Sequence, residues 1–86
     1  MTEADNRVAL IGVIVENPDS TEDLNMVLHE FREWIIGRMG IPYKVKDISV
    51  ISVAMDAPAD VINALSGKLG RLDGVSAKTI YSKNNI

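Results

Sequence analysis

Two segments of the chain are apolar at almost every position, so a strand built from either one has two apolar faces. The first runs from Arg7 to Glu16 (RVALIGVIVE) and the second from Ile48 to Met55 (ISVISVAM). Successive side chains of a strand point to opposite faces of its sheet, so helices packed on one face cover only half of them. In a chain of 86 residues, we expect a second copy of the same protein to cover the other half.

Two further segments repeat apolar residues at helical spacing. The first helix is predicted from about Thr21 to Ile35, with Ser20 as its N-cap residue. Its apolar stripe consists of Leu24, Val27, Leu28, Phe31 and Ile35. The second helix is predicted to begin at Pro58, a residue suited to the first helical position. Its stripe consists of Val61, Ile62, Leu65, Leu69 and Leu72.

The remaining strands are predicted from about Ile36 to Lys46 and from Val75 to Ser82. Pro42 lacks an amide donor, which places its strand at an edge of the sheet or at a bulge. The order is strand, helix, strand, strand, helix, strand, and right-handed crossovers put the first and third strands in the centre. The sequence therefore predicts an α+β, ferredoxin-like two-layer sandwich, with a four-stranded antiparallel sheet and two helices on one face. We expect one domain over residues 1–86, with a loose leader at 1–6 and a frayed tail at 84–86.

Composition argues against several classes of function. The net charge of −3 gives no electrostatic support for nucleic-acid binding, and the central strands carry no aromatic residue on which an RNA base could stack. There is no cysteine, and the beginning of the chain, MTEADN, is polar and unlike a signal peptide. The longest apolar run is too short to cross a membrane. We expect a cytoplasmic protein with no membrane or direct nucleic-acid partner.

Few residues of the chain are candidates for catalysis or for metal binding. His29 is the sole histidine, and the predicted first helix turns it away from the apolar stripe. No serine has an evident base beside it. An enzyme of the acylphosphatase type would need an arginine in a glycine-rich loop after the first strand, where Asn17, Pro18 and Asp19 stand instead. We expect no catalytic residue, no metal ligand and no cofactor.

The charges are distributed unevenly, with acidic residues concentrated in positions 1–33 and basic residues after them. Basic and aromatic residues cluster on the predicted second strand, within reach of the polar loop that follows the first strand. A small anionic or zwitterionic ligand at a subunit boundary would suit this cluster. The candidate ligand-binding residues are Asn17, Asp19, Ser20, Arg38, Tyr43 and Lys44. The alternative is a solvated strand edge that is kept positive against aggregation.

The segment from Ile36 to Lys83 resembles the small proteins called iron-only hydrogenase system regulators. The similarity lies in the runs GRMGIPY, ISVIS, DAP, ALSGKLGRL and GVSAKTIYSK, and the first strand, VALIGVIVE, also resembles theirs. The resemblance implies a ferredoxin-like fold similar to ACT-like domains and to the C-terminal domain of nickel-responsive regulators. It also implies oligomers formed through sheet or edge contacts. The nickel regulators' histidine and cysteine ligands have no counterpart here, so nickel sensing does not carry over.

The resemblance implies a non-catalytic regulatory module of the iron-only hydrogenase system, dimeric or tetrameric, that senses a small ligand at an interface. Without a DNA-binding half in this sequence, we expect any action on transcription to pass through a protein partner. Two alternatives remain open. One is an assembly or interaction protein without a ligand, and the other is a small enzyme of the acylphosphatase type on the same fold.

Overall fold

The computed structural model describes residues 5–83, which form a four-stranded antiparallel sheet with two helices on one of its faces. The strands are β1 (Asn6–Val15), β2 (Ile35–Tyr43), β3 (Ile48–Pro58) and β4 (Val75–Tyr81). The helices are α1 (Thr21–Glu30) and α2 (Ala59–Gly70), with short 3-10 turns at Pro18–Ser20 and Arg32–Trp34. The strand order β2-β3-β1-β4 puts β1 and β3 in the centre and β2 at an edge. The predicted α+β ferredoxin-like sandwich is confirmed.

One face of the central strands supplies more than half of the buried core residues. Alternate residues of β1 and β3 point toward the helices and are buried, as expected for a strand that packs on one side. These residues are Ala9, Ile11, Val13 and Val15 on β1 and Ile51, Val53, Met55 and Ala57 on β3. The helices contribute Leu24, Leu28, Ile62, Leu65 and Leu69, and β4 contributes Val75. Every one of these side chains belongs to one continuous cluster.

The opposite face of the sheet, which we call the open sheet face, is apolar and is not covered by any other part of the described chain. Its large apolar side chains are between 40% and 68% exposed. They are Val8, Leu10, Ile14, Met39, Ile41, Tyr43, Val50 and Ile80. The register places them on one surface, since Leu10 lies opposite both Ala54 and Ile80, and Val50 lies opposite both Ile14 and Ile41.

The first helix is shorter than predicted, because α1 ends at Glu30 and not at Ile35. Phe31 leaves the helical conformation with φ of −103° and ψ of 13°, and Ile35 begins β2 opposite Met55. Phe31 and Ile35 still pack against the core. Apolar spacing alone cannot distinguish a helical from a non-helical conformation at residues 31–35, because Phe31 and Ile35 reach the core in either one.

The other boundaries differ by a few residues. β3 continues to Pro58, not to Met55, because β1 extends back to Asn6 and pairs with it there. Pro58 is therefore the N-cap residue of α2 and not its first helical residue. The edge position of β2 is confirmed, although its irregularity lies between Ile35 and Gly37 and not at Pro42. β2 ends at Tyr43 and β4 at Tyr81, earlier than predicted.

The predicted loose leader is wrong at its last residue, since Asn6 is the first residue of β1. Residues 1–4 of that leader, and the predicted frayed tail at 84–86, lie outside the described residues. Across the described range, neither helix is long and apolar enough to cross a membrane.

Candidate functional site

A groove of about 170 Å³ lies between α1 and the edge strand β2, and we call it the α1–β2 groove. It exists because the ten residues of α1 span only about 15 Å, whereas the nine residues of β2 span about 30 Å. The buried side chains of Val15, Leu24 and Ile51 form its apolar floor. The other lining residues are Thr21, Asn25, Arg38, Gly40, Ile41, Pro42 and Ser49.

Arg38 is the one charged residue of this groove. Its Nη1 donates a hydrogen bond of 3.1 Å to Oδ1 of Asn25, and both side chains are exposed. Within residues 5–83, no carboxylate lies within ion-pair distance of Arg38. A guanidinium has five N–H donors, so most of those on Arg38 are available to an anion in the groove.

Tyr43 and Lys44 line a smaller pocket of about 100 Å³ at the end of β2. This pocket adjoins the α1–β2 groove, since the two share four lining residues, and we call the two together the depression along β2. The shared residues are Val15, Thr21, Pro42 and Ser49. Arg38 lines the groove part of the depression along β2, and Lys44 lines the smaller pocket together with Asp47.

The polar residues of the loop after β1 serve a different contact. Asn17 Nδ2 donates to Oδ2 of Asp73 at 2.6 Å, and Ser20 Oγ donates to the backbone oxygen of Asp73, also at 2.6 Å. Asn17 Oδ1 accepts from the backbone N–H of Asp19 at 3.0 Å and so caps the 3-10 turn. Ser20 stands at the N-cap position of α1, but its side chain makes no capping hydrogen bond. These contacts tie the loop to the turn between α2 and β4.

The six candidate residues are thus divided between two places. Arg38, Tyr43 and Lys44 line the depression along β2, whereas Asn17, Asp19 and Ser20 are absent from its lining. Sequence reasoning missed the polar residues on the α1 side and at the start of β3, which are Thr21, Asn25 and Ser49. The sequence does contain a signal for Asn25, which is its position directly after the buried Leu24. A residue beside the apolar stripe of a helix lies at the margin of the surface against which that helix packs.

The described residues contain no group of three or more histidine, cysteine, aspartate or glutamate side chains placed to hold a metal ion. His29 lies on the exposed side of α1, as the helical spacing predicted.

The family model described as "TM1266-like: Iron-only hydrogenase system regulator, putative" matches residues 7–79. The solved structure of the uncharacterized protein TM1266 from Thermotoga maritima is similar to the chain, with a TM-score of 0.87 and 33% sequence identity. That similarity covers 91% of this chain and 99% of the Thermotoga chain. No curated protein sequence was found to match.

More distant solved structures share the fold alone. The C-terminal domain of the MgtC protein from Mycobacterium tuberculosis has a TM-score of 0.72 at 11% identity, covering 100% of this chain and 98% of that domain. A formyltetrahydrofolate deformylase from Pseudomonas putida KT2440 has a TM-score of 0.65 at 13% identity, covering 90% of this chain and 30% of the enzyme. The ferredoxin-like, ACT-like architecture is confirmed. By the match over residues 7–79, the chain belongs to the TM1266-like family of iron-only hydrogenase system regulators.

Proposed function

We propose that this protein is a non-catalytic, homo-oligomeric regulatory module of the iron-only hydrogenase system that senses a small anionic or zwitterionic molecule in the α1–β2 groove. The observation that carries the proposal is Arg38, which bonds to the neutral Asn25 and faces no carboxylate partner among the described residues. An anionic head group would take the free guanidinium donors, and an apolar body would lie on the buried floor of the groove.

The size of the groove supports a small metabolite as the ligand. Its volume of about 170 Å³ is smaller than the ~300–1,000 Å³ of pockets that take drug-sized ligands. A molecule with a carboxylate or phosphate group and a few further heavy atoms fills that space. Lys44, farther along the same depression, would bind a second anionic group on a longer ligand.

A regulatory role without catalysis is supported by the family and by the side chains of the depression. Its lining, drawn from the described residues, includes the single carboxylate of Asp47 and no histidine. The hydroxyls of Thr21 and Ser49 stand there without the adjacent base that an activated nucleophile requires. The net charge of −3 disfavours direct contact with nucleic acid, so we assign any effect on transcription to a protein partner.

Thermal unfolding with added anions tests the ligand site. The probes are short monocarboxylates, dicarboxylates, free amino acids and inorganic phosphate, each added to the wild-type chain, to Arg38→Met and to Arg71→Met. A probe at tenfold excess over its Kd adds about 1.4 kcal/mol of stability, which is a rise of roughly 5–10 °C in Tm for a domain of this size. Arg71 is the control, an exposed arginine that follows α2 and lines neither part of the depression.

We expect at least one probe to raise Tm in the wild type and in Arg71→Met, and to have no effect on Arg38→Met. An equal rise in Arg38→Met would place the ligand elsewhere. If no probe changes Tm, the alternative of a ligand-free assembly protein is favoured. Hydrolysis of an acyl phosphate by the wild type, lost in Arg38→Met, would instead establish the enzyme alternative.

A further inference from the structure

We infer that the open sheet face is a homodimer interface, in which two copies pack face to face about a two-fold axis that runs parallel to the strands between β1 and β3. This inference rests on the homo-oligomer of the proposed function, and it assigns the surface and the symmetry of that oligomer.

The size of the open sheet face agrees with the needs of a dimer. Strands of 10 and 11 residues extend about 33 Å, and four strands at about 4.8 Å spacing extend about 19 Å. The footprint is then roughly 600 Å² per subunit, or about 1,200 Å² for both, which reaches the lower bound of stable interfaces even before surface roughness is counted. A contiguous apolar surface of this size is at the upper limit of what monomers expose.

Charge is almost absent from the middle of this surface. Along the paired strands, its charged positions are Lys78 on the edge strand β4, opposite Gly12, and Asp56 near one end of β3, opposite Val8. An apolar centre with charges at its margin is the arrangement found in interfaces between copies of one chain.

The pairing register divides the middle of the open sheet face into three rows that cross the sheet from β2 to β4. The first row is Gly37, Ala54, Leu10 and Ile80. The second row is Met39, Ser52, Gly12 and Lys78. The third row is Ile41, Val50, Ile14 and Ser76. In the first row the small residues lie on β2 and β3 and the large ones on β1 and β4, whereas in the third row the small residue lies on β4.

A two-fold axis along the strands exchanges β1 with β3 and β2 with β4, and it keeps each row opposite itself. Leu10 then faces the partner's Ala54, and Ile80 faces the partner's Gly37. In the third row, Ile41 faces the partner's Ser76. Large side chains meet small ones in these three pairs, which is the complementarity that interdigitating sheets need at about 10 Å separation. In the fourth pair, Ile14 faces the partner's Val50, and both side chains are large.

The same axis gives Lys78 an acceptable neighbour. It places Lys78 against the partner's Met39 at the margin, where the aliphatic stem of the lysine packs and its ammonium group reaches water. Ser52 faces the partner's Gly12, and around these two residues lies a shallow hollow of about 330 Å³ that gives adjacent side chains room.

The competing axis runs across the strands and exchanges the first and third rows. Every strand then faces its own copy, so Lys78 meets the partner's Lys78 and Leu10 meets the partner's Ile14. Two ammonium groups brought together at an interface repel each other. Shape is no worse with this axis, since Gly37 faces the partner's Ile41, Ala54 faces the partner's Val50 and Ile80 faces the partner's Ser76. Charge therefore selects the axis along the strands, whereas the sizes of the side chains fit either axis.

Cross-linking distinguishes the two axes, because the chain has no cysteine and an introduced one is unique. Met39→Cys and Lys78→Cys chains, one of them carrying a mass tag, are mixed, allowed to exchange subunits and treated with a bismaleimide of about 10 Å span. With the axis along the strands, cysteines 39 and 78 of different copies lie about 10 Å apart, and two cysteines at 78 lie about 18 Å apart. Met26→Cys mixed with Lys78→Cys is the control, since Met26 is on the outer side of α1.

We expect several-fold more cross-linked dimer from the Met39→Cys and Lys78→Cys mixture than from Lys78→Cys alone or from the control mixture. Equal cross-linking in Lys78→Cys alone would overturn the assigned axis. Failure of the mixture to cross-link, with a wild-type chain that sediments as an oligomer, would overturn this interface and leave the proposed function standing. A monomeric wild-type chain would overturn both.

Discussion

At the scale of single residues, Gly74 allows two loops to meet at one end of the sheet. Its φ of +69° lies in the left-handed region, and a Cβ placed there would stand 2.6 Å from the Cβ and 2.9 Å from the backbone nitrogen of Asn17. Its carbonyl oxygen accepts a hydrogen bond of 2.7 Å from the N–H of Glu16. Together with the two contacts to Asp73, this close approach explains why the loop after β1 is structural.

We expect Gly74→Ala to lower the free energy of unfolding by about 2–4 kcal/mol. The left-handed conformation costs roughly 1–2 kcal/mol for a residue with a Cβ, and the contact with the Asn17 backbone adds to that cost. Urea denaturation measures the change. Gly70→Ala is the control, because among the described residues no atom beyond its chain neighbours and the backbone of its own helix lies within 4 Å of the added Cβ, and Gly70 has no positive φ. It should leave stability unchanged or raise it by about 0.4–1 kcal/mol, and an equal loss in both variants would contradict this explanation.

At the scale of elements, periodicity predicted the number, type and order of strands and helices, because each one buries a regular stripe. It did not predict where α1 ends, since Phe31 and Ile35 reach the core from outside the helix as well. The extent of the α1–β2 groove depends on where α1 ends. For this reason the sequence identified Arg38, Tyr43 and Lys44 as a cluster but could not identify Asn25 as the residue facing Arg38.

Two neighbouring residues of β1, Leu10 and Ile11, test whether the two faces of this strand pack against different partners. Ile11 is fully buried toward the helices, whereas Leu10 on the open sheet face is 42% exposed. Ile11→Ala should lower the free energy of unfolding by about 2–5 kcal/mol at every protein concentration. Leu10→Ala should weaken the oligomer and change the stability of the dilute subunit by less than about 1 kcal/mol. Denaturation at several protein concentrations measures both, and a concentration-independent loss in Leu10→Ala would argue against an interface on this face.

At the scale of the whole molecule, the chain has more apolar surface than its two helices can cover. A domain of 86 residues buries only about 60–65% of the surface of its unfolded chain, so one subunit alone is marginally stable. The open sheet face adds an uncovered apolar surface on the side opposite the helices. The proposed dimer would remove that surface from water. It would leave the depression along β2 near the margin of the interface, where binding of the proposed ligand would influence assembly.

Sedimentation equilibrium at micromolar concentration tests most directly whether a second copy covers the open sheet face. Met39 on that face and Met26 on α1 are a matched pair, because each side chain is 63% exposed. We expect the wild type and Met26→Lys to sediment as the same oligomer, and Met39→Lys to sediment at the monomer mass of 9.4 kDa. A wild-type chain at 9.4 kDa, or a Met39→Lys variant that remains oligomeric, would contradict the assignment.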